Sequence, residues 1–441
     1  MKMFRLLPLF AAVSAVLALP VQAQSLVQLY ESARSFDASY QSAKSQYEAT
    51  LAKADQAKAA ILPMANLAIG TSRSNQDITP DVGSNRAYGT ETATVSASQP
   101  LYRPANWATY QQGLKQIDLA QAQLSTADQD LIVRVSQGYF DVLAAKDSLT
   151  FVQAQKAAVA EQLASAKRNF EVGTATITDT RDAQARYDLV IAQEIAAEND
   201  LRVKKIALDQ LVGKDNAQPL ALAQPLTLPA LLPNDVSTWV QQSEARHPGI
   251  QQAQIALDVA LLETQKAKAG HKPTLDLNVN YSAINNKEGS STAAIGTHVN
   301  AGTIGLSFNL PLFAGFATQN RVRETLSLEE KARNDLEGAR RAVAQGTRTA
   351  FFGVLSGQGQ VKALEAAETS SQSALDANKL GYQVGVRINI DVLNSQSQLF
   401  DTKAKLAKAR YDVLLGGLKL RQANGTLKAD DLQSVNALLV K

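Results

Sequence analysis

Four short stretches of the chain alternate apolar with polar residues. Over 274–282, Leu275, Leu277, Val279 and Tyr281 alternate with Asp276, Asn278 and Asn280. Over 303–310, Ile304, Leu306, Phe308 and Leu310 alternate with Thr303, Gly305, Ser307 and Asn309. Over 92–98, Ala93, Val95 and Ala97 alternate with Thr92, Thr94, Ser96 and Ser98, and a weaker run near 64–71 puts Ala65, Leu67 and Ile69 on one face. Period two predicts strands with one apolar and one polar face. Such strands fit a sheet half-buried on a soluble core. They equally fit a membrane barrel, apolar toward lipid and polar toward a lumen.

The surroundings of the strands bear on that choice. The connections 72–89 and 283–300 are long and polar, as the outer loops of a membrane barrel are. Pro63, Pro100, Pro104, Pro273 and Pro311 mark the other strand ends, where proline predicts an end to pairing and a sharp turn into helix. Tyr102, Trp107, Phe313 and Phe316 cluster there. They predict an aromatic girdle, although two of the four fit helix core as well. Four strands cannot close a membrane barrel, since known ones begin at about eight. An open edge in lipid leaves backbone groups unpaired. A barrel therefore needs several copies of the chain. Two copies give eight strands and a filled interior; three give twelve and room for a lumen.

Period seven governs most of the rest. Residues 105–171 lack proline and, as one helix, span about 100 Å at roughly 1.5 Å per residue. Ile117, Leu124 and Leu131 fall seven apart, as do Val135, Val142 and Leu149. Near the C-terminus, Leu393, Phe400, Ala407 and Leu414 form one row and Leu399, Leu406, Val413 and Leu420 another. Sevenfold spacing predicts coiled-coil packing, and two rows on one helix predict two neighbours. A soluble helical bundle satisfies these rows as well as a closed ring of helices does.

The chain also repeats itself. VGTATITDTRDAQ (172–184) returns as VGVRINIDVLNSQ (384–396). ILPMANLAIG (61–70) corresponds to HKPTLDLNVN (271–280), and SQPLYRPANW (98–107) to NLPLFAGFAT (309–318). Each half reads as helix, two strands, long helix, V-G turn and second long helix. The first repeat is 24–213, with strands about 62–72 and 90–101 and long helices about 105–171 and 178–212. The second is 235–424, with strands about 273–283 and 301–311 and long helices about 316–383 and 389–423. Pro219, Pro225, Pro229 and Pro233 keep the linker 214–234 out of regular helix, and 425–441 forms a C-terminal segment.

Composition narrows the chemistry. Lys2 and Arg5, an apolar run and Ala23 make 1–23 a secretory signal peptide, excluded from the fold. Its removal lowers the formal net charge from +3 to +1, so nothing asks for nucleic acid. There is no cysteine, hence no disulfide, thiol chemistry or thiolate metal site. His247, His271 and His298 lack metal spacing, and each reads as a surface or turn residue. No nucleophile motif or phosphate loop supports an enzyme, and no cofactor is implied.

Signal, paired strands, very long helices and a doubled V-G phrase together resemble the TolC family of outer-membrane channel proteins. The resemblance covers essentially the whole chain after residue 23. Its most specific piece is GYQVGVRINIDVLNSQSQLFDTKAKLAKARYDVL (381–414), supported by FEVGTATITDTRDAQARYDLVIAQ (170–193). It implies a mixed α/β, mostly α, homotrimer. Twelve strands, four per subunit, cross the outer-membrane lipid, and twelve helices form a tunnel through the periplasm. The tunnel is closed at its far end by inward-bending coils. A periplasmic adaptor (membrane fusion) protein and an inner-membrane ABC or proton-driven transporter dock there and open it. The duct is passive. The rival reading is a trimeric, outer-membrane-anchored coiled-coil protein without channel activity.

The resemblance also assigns residues. Tyr382 and Arg387 match the tyrosine and arginine that hold the inner coil to its neighbours, and Thr178 and Asp179 match their partners. Asp391 matches an acid lining the constriction. Read without the family, Asp179 and Asp391 are helix caps. Val172, Gly173, Val384 and Gly385 are candidates for adaptor contact, or only shape the turns. One position departs: the family's second constriction aspartate is Asn394 here, while Asp182 occupies the equivalent place in the first repeat. One aspartate ring instead of two predicts weaker channel block by multivalent cations than in a two-ring relative. Titrating the block on wild type and Asp391→Ala checks this; equal block, surviving the substitution, would refute it.

Overall fold

The computed structural model describes residues 24–77, 86–223, 225–290 and 295–440. The signal segment 1–23 lies outside them, as do parts of both outer connections. The first half runs α1 (Leu26–Phe36), α2 (Ala38–Ala59), β1 (Met64–Gln76), β2 (Arg86–Tyr102), α3 (Pro104–Glu171) and α4 (Ile177–Val212). The second runs α5 (Val236–Arg246), α6 (Pro248–Ala269), β3 (Thr274–Asn286), β4 (Thr297–Asn309), α7 (Ala317–Gln383) and α8 (Asn389–Ala423), with α9 (Asp431–Asn436) after it.

Each half opens with two short helices where the sequence pattern suggests one. Asp37 breaks the first pair: its carboxylate accepts the Tyr40 N–H at 2.8 Å and caps α2. Arg134 holds the same carboxylate from α3 with two bonds of 2.8 and 2.9 Å. In the second pair, His247 precedes Pro248, which disfavours helical backbone at that residue. His247 caps α6, its Nδ1 accepting the Gly249 N–H at 3.0 Å.

The strands form one antiparallel sheet in the order β1-β2-β3-β4. The register places Leu67 beside Val95, Val95 beside Tyr281, and Val279 beside Ile304, so the apolar residues share one face. That face is bare: Ile69 is 77% and Ile304 74% exposed. A sheet on a soluble core would hide these residues, so the soluble-core reading fails. Tyr102, Trp107, Phe313 and Phe316 are all exposed as well, so none of the four is helix core. Among the described residues no helix is long and apolar enough to cross a membrane.

Pro100 does not end its strand. β2 continues to Tyr102, with a register shift between Pro100 and Tyr102 against β3. β1 begins at Met64 opposite Ser98, so Pro100 lies where β2 has lost one neighbour and its missing N–H costs nothing on that side. Just beyond, Arg103 grips Asp276 of β3 with Nε to Oδ1 at 2.7 Å and Nη2 to Oδ2 at 2.6 Å. That bidentate pair fixes the elbow between sheet and α3.

The helices pack as the heptad rows predict. On α8, Leu393 packs with Val159, Leu163 and Val190 of the α3–α4 hairpin, and Leu414 joins the large core around Leu131, Val135 and Tyr139. The second row meets α7 instead: Leu399 packs with Leu375, Leu406 and Val413 with Val361, and Leu420 with Phe351 and Val354. The linker straps this core. Pro219 bridges to Gln24 and Leu222 to Leu439, while the buried Tyr139 hydroxyl donates to the Leu220 carbonyl at 2.8 Å.

Two predictions follow from this packing. Ile304→Arg puts a charge on the apolar face and is expected to cost about 2–4 kcal/mol at the bilayer midplane, whereas Thr303→Arg on the polar face is tolerated. The fraction of each variant recovered folded in lipid vesicles measures the difference. The second concerns Asp147, which accepts the Tyr411 hydroxyl at 2.6 Å. Burial raises its carboxyl above the usual range, and the Tyr411 bond only partly opposes this. The folded state thus holds the proton more tightly than the unfolded chain. The stability this adds is full in acid and is lost as pH rises through the folded value. Asp147→Asn is expected to match wild type at low pH and exceed it at neutral pH in thermal unfolding.

Candidate functional site at the helix-turn tips

The two V-G phrases fold alike. In the first, Gly173 takes φ +77°, and the N–H groups of Thr174 and Ala175 reach back to the Asn169 carbonyl at 2.8 and 3.2 Å. In the second, Gly385 takes φ +79°, and Val386 and Arg387 donate to the Gly381 carbonyl at 2.9 and 3.1 Å. Both close the end of a long helix on a left-handed glycine, which residues with a Cβ adopt only with strain. The chain then reverses into α4 or α8. Val172 is 73% and Val386 75% exposed, and Val384 and Ile388 are exposed too. The tips therefore present bare apolar groups beside two glycine turns.

The candidate gate residues divide by repeat. Thr176 and Asp179 form a capping box: Asp179 Oδ2 accepts the Thr176 N–H at 2.9 Å and its hydroxyl at 2.7 Å. The Thr178 hydroxyl lies 2.5 Å from that of Thr176. In the second repeat Ile388 replaces the capping threonine, so Asp391 has no cap to make. It pairs with Arg387 at 3.7 Å, four residues earlier and largely exposed. Arg387 rests its stem on Gly381, where an added Cβ would lie 2.6 Å from Arg387 Cγ. Within one subunit Arg387 does not reach Thr178 or Asp179. Asp182 is exposed and unpaired among the described residues. Asn394 accepts Arg186 Nη2 from α4 at 2.7 Å.

A row of amides on α3 escaped the sequence reading. Gln155, Gln162 and Asn169 stand seven apart, and each donates to the second half. Gln155 meets the Ser397 hydroxyl at 3.3 Å, Gln162 the Asn389 side-chain oxygen, and Asn169 the Tyr382 hydroxyl at 3.1 Å. Asn389 is 1% exposed and also donates to the Asp179 carbonyl at 3.4 Å. The signal was present as a polar heptad row, but a search for apolar rows passes over it. Against these bonds, the Thr180 hydroxyl and Gln396 Oε1 are buried without a partner among the described residues. Each such group costs about 1–3 kcal/mol. The junction between the hairpins is thus held by these neutral bonds together with the Arg186–Asn394 bond, and weakened by the unpaired groups.

A bare apolar sheet face, helices of tunnel length and paired turns at their far end define a subunit of an outer-membrane export conduit. The family model described as outer membrane efflux protein matches residues 29–214 and 239–426. The chain belongs to that family, and it is an outer-membrane protein that extends into the periplasm. It is 34% identical to outer membrane protein TolC of Vibrio cholerae serotype O1, over 99% of this chain and 98% of that one. It is 29% identical to alkaline protease secretion protein AprF of Pseudomonas aeruginosa, over 98% and 91% of the two chains. The fold matches the Campylobacter jejuni CmeC outer membrane channel with a TM-score of 0.79 at 17% identity, covering 94% of this chain and 90% of that one.

Proposed function

We propose that three copies of this chain form one exit duct of a tripartite export system. Their sheets join edge to edge as a twelve-stranded barrel, and their long helices form a periplasmic tunnel. The observation that carries the reading is the four-stranded sheet with an exposed apolar face and two open edges. Such edges have to be paired in lipid, and further copies of the same sheet supply the pairs. The duct conducts passively and carries out no bond chemistry.

The tips are the proposed gate. The Asp391 carboxylates of three subunits line the entrance. Arg387 and Tyr382 hold the second hairpin against a neighbour, with Thr178 and Asp179 as the opposing oxygens. Arg387 is free for that role because its only ion pair among the described residues is the long, wet one to Asp391. Asp182 and Asn394 flank the constriction. Opening releases the hairpins outward, like an iris. A periplasmic adaptor docks on the tips around Val172, Gly173, Val384 and Gly385, and an inner-membrane ABC or proton-driven transporter delivers cargo.

Single-channel recording in planar bilayers tests this. Wild type is expected to conduct weakly and Arg387→Ser several-fold more. Equal conductance would remove Arg387 from the gate. No conductance from either would favour the structural coiled-coil reading.

A further inference from the structure

The two repeats are offset by 212 residues, from Val172 to Val384 and from Gly213 to Gly425. The same offset carries the buried Tyr139 of α3 onto the buried Phe351 of α7. α3 packs on α8 inside one chain, whereas α7 makes no comparable contact with its own α4, so the counterpart of the α3–α8 contact calls for the α4 of another copy. One such contact is informative. Gln129 of α3 donates from Nε2 to the carbonyl of Gly425 at 3.4 Å, beside the C-terminal end of α8. The counterpart of Gln129 is Arg341, and that of Gly425 is Gly213.

The surface around Arg341 is open. A trough between α5 and α7 is lined by Arg340, Arg341, Arg348, Glu337 and Glu244 among others. All three arginines are exposed. Arg341 makes an exposed pair with Glu337 at 3.0 Å, and Arg340 and Arg348 make no ion pair among the described residues. At the corresponding positions the first half has Asp128, Gln129 and Ser136 instead of the three arginines.

The helix ends differ in the complementary sense. α8 carries Arg421 in its last turn, where it pairs with Asp431, and its end meets the neutral Gln129. α4 has no basic residue in its last turn. Its final carbonyls carry partial negative charge that its own last turn leaves unbalanced. It ends at Gly213, φ +66°, which is exposed, as are Lys214 and the acidic Asp215 beyond it. The last turn of α4 carries no cation of its own, and at the quasi-equivalent place on α7 lie Arg341, held only by the exposed Glu337, and Arg340 and Arg348, which make no ion pair among the described residues.

We propose that the α5–α7 trough receives the C-terminal end of α4 from a second copy of this chain, with Arg341 aimed at the Gly213 carbonyl and Arg348 and Arg340 beside it. The cation that the last turn of α4 lacks is supplied by the neighbouring subunit. This belt contact lies far from both the sheet seam and the tips, and it sets which way round two copies can meet. The proposal rests on the multi-copy reading above.

The absence of native cysteine makes a direct test available. Asp130 of α3 and Gln422 of α8 are hydrogen-bonded at 2.6 Å, and their counterparts are Ala342 and Gln210. The double variant Ala342→Cys, Gln210→Cys, purified in detergent, is treated with a short thiol-to-thiol cross-linker. Chains joined to one another are expected, up to a covalent trimer. Adding Arg341→Glu is expected to cut that yield several-fold. The pair Asp130→Cys, Gln422→Cys is expected to link within one chain and reports that the fold is intact. A complex that assembles normally but gives no inter-chain product, or a yield indifferent to Arg341→Glu, overturns the proposal alone. A chain that stays monomeric overturns both it and the multi-copy reading.

Discussion

Everything in this protein follows from backbone groups on two strands. β1 and β4 lie at the edges of a four-stranded sheet whose apolar face has nothing over it. Water would satisfy the edges but not the apolar face; lipid satisfies the face but not the edges. Further sheets of the same kind, as proposed above, would satisfy both. The polar face, with Thr94, Ser96, Asn278 and Asn280, then lines an interior. The bidentate Arg103–Asp276 pair fixes how α3 leaves that sheet.

The repeat supplies the wall, and departures from the repeat supply what is specific. Both tips use the same left-handed glycine, so geometry is conserved where the chain reverses. Chemistry is not. Thr176 makes Asp179 a cap, while Ile388 leaves Asp391 without that duty. Ile177 is exposed in the first repeat, whereas its counterpart Asn389 is buried and tied to Gln162. Near the tips the second half is held to the first largely by neutral hydrogen bonds from Gln155, Gln162 and Asn169. Such bonds are little affected by salt, unlike the exposed Arg387–Asp391 pair.

Much of this was legible in the residues. The alternation at 274–282 and 303–310 marks strands because period two has few other causes, and the two rows on α8 do meet two different neighbours. Two features were not legible, and a third was legible only in part. Pro100 stays within β2 because β1 starts opposite Ser98, a fact of register that no local pattern carries. The aromatics at the strand ends predict a girdle, and the pattern leaves open only whether two of them are helix core; all four are bare. The Gln155–Gln162–Asn169 row follows the coiled-coil period in polar letters, and its partners, Ser397, Asn389 and Tyr382, lie more than 200 residues away.

The number of chains in one complex tests the central claim most directly. Native mass measurement of the detergent-extracted protein counts them without any variant. Open edges closed by further sheets, with a lumen left between them, predict three chains and no stable smaller form. A stable monomer, or a closed dimer whose eight strands leave no passage, would contradict the account.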